Sequence, residues 1–152
     1  LASNFPYLRK TVIIGNGFSN TEEIKAISDD KTELHYNCDA AMMASLMTMA
    51  DFAICGGGQT VYEMACCALP PVLISIVDDQ IDDISGFSEK GFSFYAGEWN
   101  SPDLTINIIN ATRKLIPREE RSRRGTIGQN LVDGSGAQRI VNEIEKWIGK
   151  KG

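Results

Sequence analysis

Apolar and polar positions fall in short blocks along this chain, and the blocks alternate between the period of a strand and that of a helix. TVIIG at 11–15 is a β-branched apolar run closed by Gly15, Asn16 and Gly17, which predicts a strand and a turn. Before it, residues 5–10 read as the end of a helix. Thr21, followed by Glu22 and Glu23, opens a short helix with its acids where the helix dipole favours them. A shorter strand is expected at 34–37. Residues 39–50 have the length and alanine/methionine content of a helix, with Met43 and Met47 one turn apart. That methionine stripe reads as core packing rather than a ligand box.

Residues 51–80, DFAICGGGQTVYEMACCALPPVLISIVDDQ, hold the tightest sequence of signals. An apolar strand at 52–55 runs into Gly56, Gly57 and Gly58. A helix follows at 61–69, with Val61, Met64, Ala65 and Ala68 on one face. Pro70 and Pro71 stop it, and VLISIV at 72–77 is apolar nearly throughout, as a strand covered on both faces should be. A helix from 81 to 90 ends at Gly91, FSFY at 92–95 reads as the last strand, and Ser101-Pro102-Asp103 starts a helix carrying Leu104, Ile108, Leu115 and Ile116. The final helix places Ile140, Val141, Ile144, Trp147 and Ile148 at helical spacing. Strands alternating with helices predict an α/β class: a doubly wound, Rossmann-like parallel sheet of about five strands flanked by helices. Ligands of such sheets bind beyond the carboxyl ends of the strands, which directs attention to the loops 37–39, 56–60 and 78–80.

The junction of Gly56, Gly57, Gly58, Gln59 and Thr60 has its own chemistry. Glycines between a strand and a helix allow a sharp turn and the close approach of a ligand, and the free N–H groups of a helix start favour an anion. A phosphate-type ligand is therefore expected there.

At 152 residues the chain has the length of one domain, and 43% hydrophobic with 23% charged residues is ordinary for a globular protein. Its net charge of −5 lacks the electrostatic footprint of a nucleic-acid binder. RSRR at 121–124 is the nearest thing to a basic run, and Glu119 and Glu120 offset it. Cys38, Cys55, Cys66 and Cys67 contain no CxxC, and His35 is the single histidine, so no metal set is offered. A reducing, cytoplasmic setting fits these cysteines better than a disulfide scaffold. No apolar run reaches the roughly 20 residues of a membrane span.

The run ADFAICGGGQTVYEMACCALPPVLISIVDDQ resembles the carboxyl-terminal half of the two-domain glycosyltransferase (GT-B) fold that binds a nucleotide diphosphate sugar. It is similar to the UDP-sugar hydrolases of pseudaminic acid biosynthesis and the spore coat polysaccharide biosynthesis proteins, and more distantly to the peptidoglycan UDP-N-acetylglucosamine transferases. The shared pattern is A-D-x-x-I-x-G-G-G-x-T-x-x-E, then a helix, Leu-Pro, an apolar strand and a terminal Gln; NLVDGSGAQRIV at 130–141 looks like the family's closing segment.

The resemblance implies a UDP-sugar ligand and no further cofactor. It implies that Gly57, Gly58, Gln59 and Thr60 face the diphosphate and that Glu63 bonds the ribose hydroxyls. Backbone groups near Tyr36 and Asn37 would read the uracil under an apolar cover from Met42 or Met43, and Gln80, with Asp79, would reach the sugar hydroxyls. Each assignment has a plainer rival. Thr60-x-x-Glu63 is also a capping box, which the residues alone favour. Asp78, Asp79, Asp82 and Asp83 read as a solvated loop tip, and His35, inside a strand, as a packed or surface residue.

The family's amino-terminal domain, which supplies the catalytic histidine of the sugar hydrolase, has no counterpart here, and neither has the central first strand of this half. The expectation is a single nucleotide-sugar-binding domain over 1–152, an excised half or one subunit of a split enzyme, with no catalytic residue of its own. A gap is expected beside the strand at 52–55, and unpaired strand edges would allow a homodimer. The reaction implied is hydrolysis or transfer of a UDP-linked amino sugar. The alternatives are a UDP-N-acetylglucosamine transferase or epimerase half, or a non-catalytic partner subunit of a two-chain transferase.

Overall fold

Each strand pairing in this protein is parallel, because a helix stands between every two strands that pair consecutively. The computed structural model describes residues 3–149, with five strands and seven α-helices among them. The α/β class and the parallel pairing are those expected. The strands form a two-stranded and a three-stranded sheet, however, where one sheet was expected. The chain correspondingly divides into two compact units, Leu1–Leu46 and Met47–Gly152.

In the first unit, β1 (Lys10–Ile14) and β2 (Thr32–Tyr36) pair in register from Lys10 opposite Thr32 to Ile14 opposite Tyr36, joined through α1 (Thr21–Ile27). Residues 5–10 do not close a helix. They make turns, with the Leu8 N–H donating to the Phe5 carbonyl at 3.1 Å, and Lys10 already belongs to β1. Lys10 Nζ and Asp29 Oδ2, 2.8 Å apart, tie the start of β1 to the turn before β2, and this lysine is the leading cause that holds the Asp29 carboxyl down at about 2. Helix α2 (Ala40–Met49) follows, its first turn capped by Asp39, whose Oδ1 accepts from the Met42 N–H at 2.8 Å.

In the second unit the sheet order is β3-β4-β5, with β3 (Ala53–Gly56), β4 (Pro71–Ser75) and β5 (Phe94–Glu98). The central β4 is the apolar run, and Val72 and Leu73 are fully buried. Val72 lies in a cluster with Ala96, Ala111 and Leu115, against which Ile54, Ile74, Phe94 and Ile108 pack. That face is covered by α5 (Leu104–Leu115). Strand alternation turns Leu73 to the opposite face. Also buried are Met64 of α3 (Thr60–Cys66), Ile84 of α4 (Ile81–Glu89), and Phe92. Phe87 of α4 stacks edge-on against Tyr62 at 5.0 Å and Phe92 at 5.6 Å between centroids. Phe92 and Ser93, expected to begin β5, are buried loop residues instead. Gly91 at φ +83 turns the chain there, so pairing starts at Phe94.

Helix α6 (Arg118–Leu131) has no counterpart in the sequence expectations. It approaches α3 through glycines: a Cβ on Gly125 would stand 2.5 Å from the Ala68 carbonyl oxygen, and one on Gly128 2.5 Å from the Phe92 ring. Arg121 and Arg124 bond to neighbouring segments, while Arg118 and Arg123 are exposed. Arg121 Nη1 donates to the carbonyls of Leu115 and Ile116 at the end of α5, and Nη2 to Asp51 Oδ1 at 2.9 Å. Arg124, buried, donates to the carbonyls of Gly91 at 2.9 Å and Ser93 at 3.0 Å, with its guanidinium 3.6 Å from the centre of the Phe94 ring. Arg121 and Arg124 of the RSRR run are thus internal scaffolding, whereas Ser122 and Arg123 are exposed.

The last helix, α7 (Gly136–Gly149), has no buried residue among those described, and its apolar face of Ile140, Val141, Ile144, Trp147 and Ile148 is exposed.

Candidate functional site

The carboxyl end of β3 is where the second unit brings backbone donors together. The Gly57 N–H still belongs to the sheet, donating to the Ile74 carbonyl at 3.1 Å. From Gly58 the chain leaves the sheet and winds into α3, with the Val61 N–H on the Gly58 carbonyl at 3.0 Å and the Tyr62 N–H on the Gln59 carbonyl at 3.1 Å. Between these anchors, the N–H groups of Gly58, Gln59 and Thr60 make no hydrogen bond among the described residues. Three successive N–H groups without partners at a strand-to-helix turn are donors that an anion can use.

The glycines divide their tasks. Gly57 is buried, and a Cβ there would overlap the Cγ1 and Cδ1 of Ile84, so its role is close packing against α4. Gly58 has only Gln80 Nε2 in reach of an added Cβ, at 3.7 Å. Gly56 lies under the Ile76 side chain, 3.2 Å from where its Cβ would be. Gln59 is exposed and is the residue preceding α3; no side chain caps the helix. The Thr60-x-x-Glu63 capping box is therefore not formed. The Glu63 carboxylate, exposed one turn along from Thr60, makes no side-chain hydrogen bond or ion pair among the described residues.

The loop after β4 completes this end of the sheet. Asp78–Gln80 form a single 3-10 turn leading into α4. Gln80 folds back so that its Oε1 accepts from the Ile76 N–H at 3.0 Å. Asp79 is exposed. Of the neighbouring acids, Asp83 is engaged by the Tyr62 hydroxyl, which donates to its Oδ1 at 2.8 Å and has its own pKa raised by that bond. Among the described residues no three His, Cys, Asp or Glu side chains are arranged to hold a metal ion.

The other sequence-selected positions belong to the first unit. Tyr36 ends β2 with its side chain exposed. Asn37 takes a left-handed conformation at φ +51, its N–H donating to the Ile14 carbonyl at 3.0 Å. Met42 is exposed and Met43 half-buried on α2. His35 Nε2 lies 3.1 Å from Glu33 Oε1 without hydrogen-bond geometry. The four cysteines are free, and burial pushes the Cys55 thiol up to about 12, which leaves it an inert packing residue. One feature had no signal in the sequence: a shallow depression at the end of β5, lined by Tyr95, Gly97, Glu98, Asn100, Ser101 and Pro102.

No family model matches the chain. Over 130 residues it is 28% identical to the spore coat polysaccharide biosynthesis protein SpsG of Bacillus subtilis (strain 168). The match covers 85% of this chain and 38% of that protein, so the chain corresponds to well under half of its relative. Among the described residues no helix is long and apolar enough to cross a membrane.

Proposed function

We propose that the second unit binds the diphosphate and ribose of a UDP-linked amino sugar, as the nucleotide side of an enzyme that hydrolyses or transfers such a sugar in surface polysaccharide or nonulosonic acid biosynthesis. The observation that carries this reading is the run of free N–H groups at Gly58, Gln59 and Thr60 beside an unengaged Glu63 carboxylate. Backbone dipoles hold a diphosphate without a cationic side chain, which suits a chain with no Lys or Arg between Lys31 and Lys90. Glu63, acceptor-only when ionised, is matched to a pair of ribose hydroxyls. The similarity to a polysaccharide biosynthesis protein and the family pattern in residues 51–80 support uridine and a sugar.

The chain's part in the reaction is to bind and orient. A positioned diphosphate leaving group lowers the barrier only once an acid or base is set against it, and no side chain at this turn fills that role. Turnover accordingly requires groups beyond those of the turn.

Calorimetric titration tests the reading. UDP is expected to bind more tightly than UMP or ADP, and Glu63→Ala to weaken UDP by about 1–3 kcal/mol, the range for losing a charged hydrogen-bond partner. Equal affinity for ADP and UDP, or an unchanged UDP affinity in Glu63→Ala, would contradict it.

A further inference from the structure

We draw no further inference here: the strongest candidate, the exposed apolar face of α7 formed by Ile140, Val141, Ile144, Trp147 and Ile148, carries nothing because nothing in the structure shows what covers it.

Discussion

Replacing Arg124 by Met is expected to destabilise the protein by about 3–5 kcal/mol, the range for breaking a buried ionic contact from one side. Met keeps much of the volume but none of the donors. The carbonyls of Gly91 and Ser93 would lose their partner where the chain enters β5, and the Phe94 ring would lose the guanidinium 3.6 Å from its centre. Glu120 also loses a partner, but it retains Arg123 and is partly solvated, which places the effect toward the lower end of the range. Thermal unfolding provides the check, and at about 2–4 °C per kcal/mol the midpoint should drop by roughly 6–20 °C.

The same contact has a pH signature. Hydrogen bonds from Arg123 first, and from Arg124, hold the Glu120 carboxyl at about 2 against a reference value of 4.5. A depressed carboxyl pKa stabilises fully above the unfolded value, and the contribution is lost as pH falls from about 4.5 toward about 2. Arg124→Met should therefore narrow its stability difference from wild type as the pH is lowered through that window. A constant difference would show that the ionic contact contributes nothing.

The second large effect is expected at Gly57. A Cβ there would overlap the side chain of Ile84, which is 1% exposed. Gly57→Ala should therefore cost about 1–3 kcal/mol by overpacking and displace the turn that follows. Gly58→Ala gives the contrast, because its Cβ would make only ordinary contact with Gln80 Nε2 at 3.7 Å. Stability there should stay within about 0.5 kcal/mol, as for substitutions that meet none of the destabilising mechanisms. On the proposed reading UDP should nevertheless bind at least about tenfold more weakly, since the methyl group would stand where the diphosphate is proposed to approach the backbone. If both variants lose stability equally, the division of labour between the two glycines is wrong.

Local patterns made the order of the elements readable, because apolar runs, turn residues and helix starts act over a few positions. Residues 51–80 were most legible, since strand, glycine turn, helix and apolar strand each carry their own signal. Helix α6 was not legible for a physical reason. It buries an arginine and two glycines, where an amphipathic stripe would bury large apolar side chains. The start of β5 was misplaced because Phe92 and Ser93 are as buried as a strand would be, although their backbone does not pair. The separation into two sheets depends on pairing between distant segments, which no local pattern records. At the candidate site, the glycine turn was evident, but the engagement of the Gly57 N–H, the unformed capping box and the orientation of Gln80 all required three-dimensional geometry.

The most direct test is to follow every backbone amide by heteronuclear NMR while UDP is added. The account expects the largest shifts at Gly58, Gln59 and Thr60, with Gly57 moving less because its N–H remains on the Ile74 carbonyl. Shifts concentrated instead in the depression of Gly97, Glu98, Asn100 and Ser101, with the glycine turn unmoved, would contradict it.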